Sequence, residues 1–146
     1  MAAKSFEDIH RRLREIDIPE SFDLLVAIAS GGIIPGALLN ERLRLPFDLL
    51  HINFRDADHA PRGPQPVLLR PLGFDCAGKR VLLADDRVKT GTTIAFARHL
   101  LSAARAIKTF AINGSADYAL FNEDCFRMPW RIAENFQPRM DANEHR

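Results

Sequence analysis

The sequence predicts an α/β protein of three layers built around a mostly parallel sheet. The apolar runs DLLVAIA (23–29), FDLLHINF (47–54), VLLAD (81–85) and KTFAIN (108–113) lack the polar alternation of a half-exposed sheet. Strands buried on both faces read that way. Stretches of helical spacing lie between them, and strands alternating with helices assemble as βαβ crossovers covered on both sides.

The elements follow in order. Ser5 and Asp8 form a capping-box-like start, and Phe6, Ile9, Leu13 and Ile16 recur at helical spacing, which predicts an amphipathic opening helix. Residues 23–29 are a buried strand, Gly31 and Gly32 a turn, and Pro35 sits in the first turn of a helix through PGALLNERL. Residues 47–54 and 66–70 are further strands. Between them, RDADHAPRGPQP is polar and rich in Pro, Asp and Arg, which predicts a mobile loop. VLLAD is the next strand, Thr92 to Ala104 a helix with Ile94, Ala97 and Leu101 inward, and 108–113 another strand. After Pro129 the chain turns polar. A single domain over 1–136 with a frayed tail over 137–146 is expected, and no internal repeat is present.

Composition narrows the chemistry. The 146 residues suffice for one core that buries roughly two-thirds of the unfolded surface. With 20 Lys and Arg against 19 Asp and Glu, no charge excess marks a nucleic acid or a membrane as partner. Cys76 and Cys125 are far apart and lack CxxC spacing, so neither a disulfide framework nor a zinc knuckle is indicated, and a reducing cytoplasm is expected. The five histidines are dispersed without metal-ligand spacing. No stretch has the length of a membrane span or a signal core, so a soluble, unprocessed chain is expected.

In an open parallel sheet, ligands bind beyond the carboxyl ends of the strands, where turns into helices present free N–H groups. Both GG (31–32) and DDRVKTGTT (85–93) fall there. Gly91 lets the backbone approach a phosphate monoester, and Thr90, Thr92 and Thr93 add donors. Asp85 and Asp86 would repel that phosphate, so they suit sugar hydroxyls or a magnesium ion instead. The pattern implies a phosphorylated sugar. A bland reading, in which the two acids only favour a helix N-terminus, leaves the upstream glycine pair without a role. Receiver domains also end a strand on paired acids, but they do so on the first strand.

VLLADDRVKTGTT resembles the phosphoribosyl pyrophosphate (PRPP) signature of type I phosphoribosyltransferases. ASGGIIPGALLNERL (29–43) resembles the pyrophosphate-loop segment of the xanthine-guanine and hypoxanthine branch, and MPW (128–130) its short C-terminal hood. The resemblance implies that Asp85 and Asp86 hold the ribose hydroxyls directly or through Mg2+, and that Lys89, Thr90, Gly91, Thr92 and Thr93 wrap the 5'-phosphate. It implies that Ser30, Gly31 and Gly32 face pyrophosphate across a cis Ala29–Ser30 peptide. It implies that residues 54–66 close over PRPP with Arg55 and Arg62 reaching the leaving group, and that Ile112, Phe126 and Trp130 surround the base. A homodimer is expected by family habit.

Departures from the family pattern cluster around the base and the pyrophosphate. Lys89 stands where purine-salvage relatives carry an Asp, Ile112 occupies the slot of a lysine, Cys125 that of a stacking aromatic with Phe121 and Phe126 as neighbours, and Ser30 that of a basic residue. These imply an acceptor other than an ordinary 6-oxopurine, with an anionic or carbonyl group near Lys89. The rival reading is a PRPP- or nucleotide-sensing protein without turnover. A phosphatase or hydrolase lacks a nucleophile-base pair.

Overall fold

The computed structural model describes residues 3–53 and 66–132. The expected loop with Arg55 and Arg62, and the expected tail, lie outside the described residues.

Helix α1 (Phe6–Glu15) starts on a complete capping box: Ser5 Oγ accepts from the Asp8 N–H at 3.0 Å, and Asp8 accepts from the Ser5 N–H at 2.9 Å. Strands β1 (Leu24–Ala29), β2 (Phe47–Asn53), β3 (Val67–Leu68), β4 (Arg80–Val88), β5 (Ala106–Gly114) and β6 (Tyr118–Phe121) form one sheet in the order β3-β2-β1-β4-β5-β6. All neighbours run parallel except β2 and β3. Helices α2 (Ile33–Leu43) and α3 (Thr92–Leu100) complete the set.

Alternation along the strands builds two cores. Leu25, Leu82, Ala84, Phe110 and Ile112 point to the face covered by α1 and α2, where they meet Ile9, Leu13 and Leu39. Leu24, Val26, Ile28, Val81 and Leu83 point to the other face, against Ala97 and Leu101 at α3. The central strands β1 and, through Ala84, β4 are therefore apolar on both sides, which confirms the three-layer α/β class. Among the described residues no helix is long and apolar enough to cross a membrane.

Several elements differ from the sequence expectation. Strand β4 does not stop at Asp85 but runs to Val88, because β5 continues beside it through the pairs Asp85–Ala111, Arg87–Asn113 and Val88–Gly114. Strand β3 keeps only two residues, since it pairs antiparallel with the end of β2 at the sheet edge. Helix α3 ends at Leu100; the Ala104 N–H then closes a turn on Leu101 O, and the Arg105 N–H bonds to Lys79 O, so the chain is already returning to the sheet. The four-residue β6 falls in a stretch where no element was expected.

The end of the β4–β5 ladder depends on Gly114. Its φ is +130°, and a Cβ there would lie 2.2 Å from Val88 O. Gly114→Ala should therefore lower stability by about 2–3 kcal/mol, read as a shift of the urea midpoint.

Candidate active site at the carboxyl ends of β1 and β4

Because β4 continues past its apolar run, Asp85, Asp86 and Arg87 are strand residues held by pairing rather than loop residues. Each acid is also fixed locally: Asp85 Oδ1 accepts the Asp86 N–H at 2.8 Å, and Asp86 Oδ1 accepts the Arg87 N–H at 2.7 Å. Burial, followed by the neighbouring Asp86 charge, pushes the Asp85 carboxyl well above the usual carboxylate range.

Strands β1 and β4 are parallel neighbours, so the turn after β1 lies directly beside these acids. A Cβ on Gly31 would come within 3.0 Å of the Asp86 carboxylate, and one on Gly32 within 2.5 Å of Ala84 O. A side chain at Gly32 would push the turn off β4, and one at Gly31 would press on the Asp86 carboxylate. The Ala29–Ser30 peptide is cis. The Gly32 N–H bonds to Ile28 O at 2.7 Å, while Ser30 and Gly31 remain exposed at the mouth of the turn.

The loop after β4 forms the second half of the site. Gly91, at φ +82°, turns the chain into α3, and the Ala95 N–H closes the first helical bond on Gly91 O at 2.9 Å. Thr90 Oγ1 and Thr92 Oγ1 are 3.0 Å apart, and the Thr92 N–H reaches Thr90 Oγ1 at a long 3.3 Å. The N–H groups of Thr90, Gly91 and Thr93 have no hydrogen-bond partner among the described residues. They line a hollow of about 70 Å³ together with Asp85, Arg87 and Lys89. Unspent donors at a helix N-terminus suit an anion.

A groove of about 420 Å³ adjoins the hollow, and Arg87, Val88 and Lys89 form a wall common to both. Asn113, Ser115 and residues 122–125 complete it. Asn113 is 4% exposed; its Nδ2 donates to Glu123 O at 3.1 Å and its Oδ1 accepts the Glu123 N–H at 3.0 Å. Arg87 Nη2 donates to Phe126 O at 2.8 Å. Arg87 Nε is covered and has no partner among the described residues.

The residues expected around a base do not gather here. Ile112 and Phe126 have no exposed surface; both belong to the core on the α1 and α2 face, on the opposite side of β5 from Asn113. Trp130 packs on Phe6 of α1, with ring centroids 6.2 Å apart. Asn113 and Arg87 take the places facing the groove. Strand periodicity carried past Asp85 would have put Arg87 on the Asp85 face, and a one-residue change of alignment exchanges Ile112 for Asn113.

Comparison with known proteins agrees with this geometry. The model of the phosphoribosyl transferase domain matches residues 2–132. A xanthine-guanine phosphoribosyltransferase of Idiomarina loihiensis is 27% identical over 112 residues, 73% of this chain and 68% of that protein. The bifunctional protein PyrR of a Roseiflexus species is 42% identical over 55 residues, 37% of this chain and 30% of that protein. The crystal structure of a purine phosphoribosyltransferase from Pyrococcus horikoshii superposes with a TM-score of 0.75 at 22% identity, covering 88% of this chain and 93% of that one. The strand-end loops, the paired acids and these matches together establish that the chain belongs to the phosphoribosyl transferase domain family, near its xanthine-guanine and hypoxanthine branch.

Proposed function

We propose that this protein transfers the ribose 5-phosphate of PRPP to a heterocyclic acceptor with release of pyrophosphate, as a cytoplasmic homodimer. The observation that carries the reading is the shared wall: the amide-lined hollow and the wider groove meet at Arg87–Lys89, with Asp85 lining the hollow. A 5'-phosphate on Thr90–Thr93 then sets the ribose over Asp85 and Asp86 and the acceptor in the groove. Ser30, Gly31 and Gly32, beside Asp86, take pyrophosphate, and Arg55 and Arg62 belong to the same role. In the reaction the bond from the sugar C1 to pyrophosphate breaks and a bond to an acceptor nitrogen forms, with positive charge developing on the ribose. The chain's contribution is alignment and fixed charge.

Asp85 and Asp86 supply hard oxygen donors of the kind Mg2+ prefers. Among the described residues no group of three or more His, Cys, Asp or Glu gathers as a metal site, which suits an ion held by one or two carboxylates and the substrate's own phosphates. When bound, such an ion offsets the charge of the leaving pyrophosphate. The acceptor class is inferred from Lys89 and Arg87, two cations on one wall of the groove. An acceptor with a carbonyl or anionic oxygen on that edge fits them. Lys89 in place of the base-handling acid is what argues against an ordinary 6-oxopurine as the preferred substrate.

A second reading, a nucleotide-sensing regulator without turnover, is favoured by Lys89 at the position of a base-handling acid and by the partial match to PyrR. Incubation with PRPP, Mg2+ and a mixture of heterocycles, followed by mass spectrometry, separates the two. The enzyme reading expects pyrophosphate and one new nucleotide. Binding of PRPP without product supports the regulator, and efficient conversion of guanine or hypoxanthine contradicts the acceptor assignment.

Asp85 also links function to stability. Its folded pKa lies above the unfolded value of 3.8, so between those limits the native state binds the extra proton and stability falls as pH rises. Above the folded pKa the buried charge is carried at full cost. Asp85→Asn should therefore raise the thermal midpoint of the ligand-free protein at pH 7.5 by ~3–6 °C, with the gain shrinking toward pH 4. The same change should lower transfer by ~100-fold.

A further inference from the structure

The wall of the groove farthest from the phosphate loop, residues 122–125, belongs to no helix or strand of the sheet. From the sheet side it is held by Asn113 on the Glu123 backbone and by Arg87 on Phe126 O. From outside it is held by Lys4. Lys4 Nζ lies 2.9 Å from Glu123 Oε1, 4.4 Å from the centroid of the Phe121 ring and 5.4 Å from that of Phe126. Its backbone N–H donates to Arg127 O at 3.3 Å, and Ala3 pairs with Arg127 in a parallel bridge. One side chain thus grips the segment at its carboxylate and at the rings on either side of it.

The chemistry makes this more than a surface ion pair. The Lys4 side chain is 22% exposed, about half the exposure of its carboxylate partner. Ring faces and a carboxylate together define one position for the ammonium, which an isolated pair on flexible stems does not. Glu123 and Asp124 line the same groove as Arg87 and Lys89, so the Lys4 contact offsets one of two acidic charges beside those cations.

We propose that Lys4 is a positioning residue of the acceptor groove: from outside the site it sets residues 122–125 and neutralises Glu123, so that the groove meets a heterocycle at fixed width and with net positive charge. The inference rests on the proposed placement of acceptor and phosphate, and its test separates the two. Calorimetry compares ribose 5-phosphate, which reads the phosphate loop alone, with the 5'-monophosphates of guanosine, xanthosine, adenosine and uridine, which read loop and groove together. Lys4→Met should weaken the tightest monophosphate ~5-fold while ribose 5-phosphate stays within about twofold, and Lys4→Arg should restore the wild-type ratio. In a Glu123→Gln background the Lys4→Met effect should shrink, as expected for directly coupled partners. Lys4→Gln serves the same comparison should the Met variant fold poorly. An unchanged ratio in Lys4→Met, an equal loss for both ligands, or an Arg variant as weak as the Met one overturns the proposal. Wild-type protein that binds ribose 5-phosphate but no monophosphate more tightly overturns it alone; wild-type protein that binds none of them overturns the functional reading as well.

Discussion

The pairing of β4 with β5 beyond the apolar run is the constraint from which the site follows. Through Arg87–Asn113 and Val88–Gly114 the ladder carries three consecutive charged residues as strand, at a place where composition alone would give a loop. Strand geometry fixes where each side chain points. Asp86 is set against the Gly31 turn on one face, while Asp85 and Arg87 share the face of the hollow. Only after Val88 is the chain released into the turn that leaves amides open ahead of α3. If the ladder ended at Asp85, the acids, the wall common to both cavities and the phosphate turn would lose their common reference.

That rigidity has an electrostatic cost, concentrated at Asp85. A carboxylate pressed into the sheet beside a second carboxylate is disfavoured in its charged form, and the Asp86 N–H on Asp85 Oδ1 offsets this only in part. A ligand that brings hydroxyl donors or a divalent cation relieves it, so the unfavourable apo state favours binding. The opposite sign holds along the adjoining groove, where Lys89 and Arg87 stand on one wall. In the proposed reading, acids under the sugar and cations beside the acceptor would divide one ligand into chemically distinct halves. On the same reading Lys4 belongs to this balance from outside, because it offsets Glu123, which with Asp124 is one of the two acidic residues that line the groove.

Much of this was legible in the sequence because the information was local. Unbroken apolar runs separated by helical spacing gave the layers, Ser5 and Asp8 gave the first cap, and glycine with threonines ahead of a helix marked the turn whose amides stand open. What stayed hidden depended on partners distant in the chain. The polar triplet Asp85–Arg87 reads as loop by periodicity, and only its pairing with Ala111 and Asn113 makes it strand. The same distance explains the exchange of Ile112 for Asn113: in a strand a one-residue difference in alignment moves a side chain from groove to core. Phe126 and Trp130 read as candidate base contacts because they are aromatic, but the core and Phe6 claim them. Lys4 gave no signal at all, since its partners lie at the far end of the chain.

The central claim is that the backbone N–H groups of Thr90 to Thr93 hold a sugar phosphate. Titration of 15N-labelled protein with ribose 5-phosphate and Mg2+ reads those amides directly. The account predicts downfield shifts concentrated on residues 90–93 and saturating together, with inorganic sulfate competing for the same resonances. Saturating ligand that leaves these four amides unmoved, or moves another surface instead, would contradict it.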